Sequence, residues 1–197
     1  EGFYNNPPAG FCDYPLLKPL GAMYIAKPEQ LPQLTDVYHN VNQVLDNVDL
    51  VDEAFVYDKV PELKPGIDAG FWEPNSREID VASLLEGYIK FAKRSGVEFI
   101  YKAGVTGLRR EGEQWRVETV KDEFIGKNIV NAAGAWGDKL CAMAGAQPVG
   151  LKPKKRTVCI AKAPESLDVH RWPLTIDIDE TFYFKPESGN ILITPAD

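Results

Sequence analysis

Lys127-Asn128-Ile129-Val130-Asn131-Ala132-Ala133-Gly134-Ala135-Trp136-Gly137-Asp138-Lys139-Leu140 is the stretch on which the reading of this chain turns. An apolar, β-branched pair (Ile129, Val130) gives way to residues with almost no side chain, and an amphipathic helical stretch, Trp136 to Ala144, begins at once. Small residues at a strand-to-helix turn let the backbone approach a ligand, and a helix N-terminus offers free N–H groups to anions. The turn carries no Lys-Ser/Thr pair and so is not a P-loop. The GxGxxG spacing of a primary dinucleotide fingerprint is absent here and elsewhere in the chain. A tight strand–helix joint that serves packing alone is the competing reading of this stretch in isolation.

Working outward, the flanking segments alternate in texture. Asp80 suits the N-cap of a helix over Val81–Lys93, which puts Leu84, Leu85, Tyr88, Ile89 and Ala92 on one side and ends at Gly96. Strands are expected at Glu98–Tyr101, Val105–Arg110, Gln114–Val120 and Ile129–Asn131, with Glu111-Gly112-Glu113 as a hairpin turn. Further strands are expected at Thr157–Lys162, Leu174–Ile178, Thr181–Lys185 and Ile191–Thr194, forming an antiparallel sheet. On the N-terminal side, Leu16–Ala26 reads as a bent strand pair around Pro19 and Gly21, and Glu29–Asp46 has a near 3.6 apolar period. Leu50–Lys59 is ambiguous, and Gly70–Pro74 reads as a short strand.

Composition narrows the function classes. The net charge of −7, from 22 basic and 29 acidic residues, argues against nucleic acid as a partner. The Lys152-Lys154-Lys155-Arg156 cluster reads as a solvated strand entrance. Three cysteines without CxxC spacing point to a reducing, cytoplasmic setting, and two isolated histidines are too few for a zinc site. The Asp177-Asp179-Glu180 cluster lacks the glycine turn and distal Glu of an EF-hand, so no metal is expected. No window approaches ~18 apolar residues, so no membrane span is expected. The missing initiator Met and the irregular Pro-rich start lead us to expect an excised piece of a longer protein.

The order of these segments resembles the flavin-dependent oxidoreductases of the D-amino acid oxidase type, the family that includes glycine oxidase and sarcosine oxidase. The elements that carry it are Asp80-Val81-Ala82-Ser83-Leu84-Leu85, Ser95-Gly96-Val97-Glu98-Phe99, Ala103-Gly104-Val105-Thr106-Gly107-Leu108, Trp115-Arg116-Val117-Glu118-Thr119 and the Asn-Ala-Ala-Gly-Ala-Trp turn. The match runs from about Pro15 to Thr194 and is strongest between Ile79 and Gly145. By resemblance, Val105 matches the strand residue whose backbone touches the adenine of FAD. Ala133, Gly134 and Trp136 match the loop that packs along the cofactor. Read from its residue type alone, Val105 is an ordinary strand valine.

The resemblance implies a mixed α/β (α+β) fold: residues 79–145 as a partial FAD-binding α/β segment, and 1–78 with 146–197 as an antiparallel α+β substrate-binding layer. It implies FAD as the cofactor of the whole protein, with hydride transfer to flavin from an amino acid, a secondary amine or a 2-hydroxy acid. The chain alone is expected to bind FAD weakly or not at all, since the fingerprint turn is missing. Strand alternation over Thr181–Pro186 puts Phe182 and Phe184 on one face, Tyr183 and Lys185 on the other. By resemblance, Tyr183, three residues before Pro186, faces the substrate carboxylate, and Lys185 joins it as a substrate-binding candidate. A half-buried sheet tyrosine with a backbone partner is the alternative. Arg156 precedes Thr157 and Val158 rather than the family's Gly-Gln, and is read as structural. No residue is assigned as catalytic. The alternative functions are a non-catalytic ligand-binding or interaction domain of the same fold and a dehydrogenase of a phosphorylated polyol, which would need more cations near Tyr183.

Overall fold

A computed structural model describes residues 2–195. In chain order, a helical turn α1 (Gly2–Asn5) precedes strands β1 (Leu17–Pro19) and β2 (Ala22–Ala26), helix α2 (Leu31–Asn42), strand β3 (Asp49–Asp52) and helix α3 (Glu53–Lys59). Strands β4 (Ala69–Glu73) and β5 (Arg77–Ile79) lead to helix α4 (Val81–Arg94). Then follow β6 (Val105–Glu111), β7 (Gln114–Thr119), β8 (Glu123–Gly126) and helix α5 (Gly137–Met143). The chain closes with β9 (Cys159–Ala161), β10 (Leu174–Asp177), β11 (Phe182–Glu187) and β12 (Asn190–Pro195). The expected mixed α/β class holds.

Two compact units arise, residues 1–91 with 156–197 and residues 92–155. Sequence texture drew the lines at 78/79 and 145/146, and local contacts explain the difference. Residues 79–91 join the first unit because Phe11 packs edge-on against Tyr88 at 5.2 Å, and a Cβ at Gly87 would come within 2.3 Å of the Phe11 ring. Residues 146–155 join the second because the Asp138 carboxylate accepts from the amides of Val149 (3.0 Å), Gly150 (2.9 Å) and Leu151 (2.7 Å).

The first unit is built on a seven-stranded sheet in the order β3-β4-β2-β10-β11-β12-β9. It is mixed rather than purely antiparallel: β2 and β10 run parallel, in register Tyr24↔Ile176, and every other pairing is antiparallel. The Leu16–Ala26 strand pair is no hairpin either, since β1 pairs with β5 and β2 with β4. Both faces of β2 are covered. Met23 and Ile25 pack with Val56, Val60, Val169 and Trp172 on one side. On the other, Ala26 and Phe71 meet Leu34 of α2, whose Leu31, Val37 and Val41 complete the apolar stripe.

The second unit is a three-stranded meander, β6-β7-β8, accompanied by α5. The expected strands at Glu98–Tyr101 and Ile129–Asn131 do not form. Neither segment finds a ladder partner among the described residues, and without one an apolar β-branched run has nothing to pay for extended pairing. Val130 is 87% exposed. The Asn131 side chain holds this stretch instead: its Nδ2 donates to the Gly137 carbonyl at 2.9 Å, and its Oδ1 accepts from the Ala133 amide at 3.2 Å.

Candidate functional site

The seven-stranded sheet carries one row of side chains across five strands. The registers Phe71↔Tyr24, Tyr24↔Ile176, Ile176↔Tyr183 and Tyr183↔Thr194 place these residues directly opposite one another, hence on one face. Helix α2 covers the Phe71–Tyr24 end. Neither apolar cluster of the unit takes in Ile176, Tyr183 or Leu192, which are half-buried on this face, while Thr194 at its β12 end is 1% exposed. On the opposite face, Phe184 meets Trp172 edge-on at 5.8 Å, as strand alternation predicts for a core-facing aromatic.

Tyr183 is half-buried, and its hydroxyl has no hydrogen-bond partner among the described residues. The guanidinium of Arg156 lies 6.0 Å from the ring centroid, in cation–π range. Arg156 has no carboxylate partner among the described residues. Sequence reading gave it a structural part. Nothing in the local sequence reveals the contact, which depends on how the segment entering β9 returns over β11.

Lys185, on the same face two residues along, is committed within the fold. Its ammonium donates to Glu78 of β5 and to Glu187 Oε2 at 2.7 Å. Burial alone would push the ammonium down, but the bonds to Glu187 and Glu78 outweigh it and hold its pKa above the ordinary lysine value. The same bond from Lys185 holds the Glu187 carboxyl below its usual range, against a smaller opposing effect of burial. Two carboxylates share the one ammonium, and the Lys18 charge adds to the lowering of Glu187. Tyr24 lies under the covered end of the row, where burial and then the Glu180 charge push its phenol up.

In the second unit, Gly104 and Val105 from the entry to β6, Ala133 before the turn, Trp136, and Lys139, Leu140 and Met143 of α5 line a groove of about 280 Å³. The predicted residues Val105, Ala133 and Trp136 are therefore brought together. Gly134 does not line the groove. A Cβ there would meet nothing within 4 Å, and the position is glycine because its φ is +53°. Gly104, which sequence reading did not single out, lines it, and a Cβ there would enter open space. Lys139 is the one charged side chain among the lining residues. The volume is just below the roughly 300–1,000 Å³ of a whole-ligand pocket, so the groove suits one part of a dinucleotide. An apolar wall, room at the backbone and one cation fit a planar ring next to an anionic group.

Among the described residues no group of three His, Cys, Asp or Glu is placed to hold a metal ion. No helix among them is long and apolar enough to cross a membrane.

Comparison with known proteins gives a consistent answer. Residues 10–197 match the DAO family, described as FAD dependent oxidoreductase. Dimethylglycine dehydrogenase of Rattus norvegicus, a mitochondrial protein, is 30% identical over 145 residues, which are 70% of this chain and 17% of that protein. N-methyl-L-tryptophan oxidase of Citrobacter koseri is 27% identical over 123 residues, 62% of this chain and 33% of that protein. Among solved structures, L-alpha-glycerophosphate oxidase of Mycoplasma pneumoniae, determined with FAD bound, superposes with a TM-score of 0.73 at 19% identity, covering 91% of this chain and 50% of that one. Glycine oxidase of Geobacillus kaustophilus gives 0.71 at 18%, covering 91% and 47%. The chain thus spans a sixth to a third of these two curated relatives and about half of these solved ones.

Proposed function

The chain belongs to the DAO family of FAD-dependent oxidoreductases, and on that premise we propose that it forms the substrate-facing sheet and one wall of the cofactor groove of an enzyme that oxidises an amino acid, a secondary amine or a 2-hydroxy acid. FAD, when bound, supplies the electron acceptor for the substrate's Cα–H bond. The observation that carries the reading is the groove in which Val105, Ala133 and Trp136 meet beside Gly104, from stretches about 30 residues apart in the chain.

Val105, Ala133 and Trp136 hold a flat part of FAD, Lys139 faces its nearest anionic group, and Gly134 shapes the turn that presents Trp136. Residues 92–155 thus carry cofactor contacts. The β10–β11–β12 half of the sheet in the other unit is the substrate layer. There Tyr183 donates its hydroxyl to the substrate carboxylate and Arg156 supplies the opposing charge. Lys185 stays in the site as a strut, its charge already taken by Glu78 and Glu187. One uncommitted cation beside Tyr183 suits a carboxylate monoanion better than a phosphate dianion, which favours an amino or hydroxy acid over a phosphorylated polyol. The three unpaired cysteines fit a reducing compartment such as the cytoplasm.

Anaerobic titration of the full-length, flavin-loaded protein with glycine, L-proline, N,N-dimethylglycine, N-methyl-L-tryptophan and L-lactate tests the reading. Bleaching of the visible flavin band by at least one of the five is expected. A band unmoved by all five, but bleached by glycerol 3-phosphate, would contradict the substrate assignment.

A further inference from the structure

Thr194 sits at the far end of the row that runs through Tyr183, directly across the β11–β12 ladder from it. It is 1% exposed, and its Oγ1 is the one buried side-chain polar atom without a hydrogen-bond partner among the described residues. A hydroxyl sealed from water and unpaired is a net cost to the folded state, and such groups are scarce in native proteins. A β-branched hydrocarbon of the same shape, valine, would fill the position without that cost. The hydroxyl therefore has a use that the ligand-free fold does not display. Its immediate cross-strand neighbour on the same face is Tyr183. The Tyr183 hydroxyl is itself without a hydrogen-bond partner among the described residues.

We propose that Thr194 is a specificity-determining residue of the substrate face, whose hydroxyl gains its hydrogen bond from the polar group on the substrate's α-carbon when Tyr183 turns to meet the carboxylate. The inference rests on the reading of this half-sheet as the substrate layer. A site that leaves a hydroxyl unpaired until the right ligand arrives discriminates against analogues lacking the polar group. The bond exists only in the complex, so removing the hydroxyl weakens binding without weakening the free protein.

The test compares wild type, Thr194→Val, Thr194→Ser and Tyr183→Phe in the flavin-loaded enzyme, using the best-oxidised member of the five-compound panel above. Thermal unfolding is measured without substrate, and KM and kcat are measured separately. The expected result for Thr194→Val is an unfolding temperature equal to or above wild type, with KM raised about tenfold, the worth of one buried neutral hydrogen bond. Thr194→Ser, which keeps the hydroxyl, should restore KM. A Thr194→Val enzyme that unfolds several degrees lower with KM unchanged would overturn the proposal, because the hydroxyl is then satisfied inside the fold. If Tyr183→Phe raises KM while Thr194→Val does not, the proposal alone fails. If neither raises KM, the substrate-layer reading fails with it.

Discussion

Lys185 and Tyr183 share one strand face yet have opposite status. The Lys185 ammonium is satisfied by Glu78 and Glu187, whereas the Tyr183 hydroxyl has no hydrogen-bond partner among the described residues. Removing the hydroxyl in Tyr183→Phe should leave thermal unfolding unchanged and raise KM by about tenfold, since no internal bond is lost. Lys185→Met should act the other way, leaving KM nearly intact and destabilising the fold by about 1 kcal/mol after solvent screening, because two carboxylates are left facing one another. The signs of the pH dependence follow from the shifts. Glu187, with its pKa lowered, contributes stability above the ordinary carboxylate range and loses it as pH falls through the lowered value. Lys185, with its pKa raised, contributes below the ordinary lysine range and loses it as pH rises through the raised value. Urea unfolding of wild type should thus show a plateau through neutrality, and Lys185→Met should regain stability relative to wild type on acidification. An acid-insensitive difference between the two would contradict the pairing.

Elements were legible in the sequence where the chain itself supplies the partner. The β6–β7 hairpin closes around Glu111-Gly112-Glu113, and α4 begins at Asp80, whose carboxylate accepts from the Ser83 amide at 2.9 Å and from its hydroxyl at 2.8 Å. Those bonds hold the Asp80 carboxyl below its usual range. Asp80→Ala should lower the helical signal and the unfolding temperature, while Asp80→Asn, still a good cap, should not; circular dichroism reads both. Helix α3 was missed although its cap was visible: the Asp52 side chain accepts from the Phe55 amide at 2.9 Å. Its seven residues are too few for a 3.6 period to stand out. The parallel β2–β10 pairing joins residues some 150 positions apart, and no local pattern encodes a crossover of that length. The strands expected at 98–101 and 129–131 failed for the complementary reason: a strand is a property of a pair, and local residues announce only one half of it.

At the scale of the molecule, two units built from three stretches of chain bear the two halves of the proposed chemistry, a cofactor groove in one and a substrate sheet in the other. The family and the groove's Val105, Ala133 and Trp136 were readable because the order of strand, small-residue turn and helix is written in local sequence. Gly104, Arg156 and Thr194 were not, since their importance lies in which space they leave, which ring they face or which bond they lack. The central claim is that this groove takes part of FAD, and the most direct measurement is the FAD dissociation constant of the full-length protein with Gly104→Leu beside wild type, read by quenching of flavin fluorescence. A Cβ added at residue 104 would meet nothing within 4 Å, so the fold should tolerate leucine and unfold at the wild-type temperature. The account predicts FAD affinity weakened by about tenfold or more, the groove being blocked by a few methyl groups' worth of lost contact. Unchanged FAD affinity in a normally folded Gly104→Leu protein would contradict it.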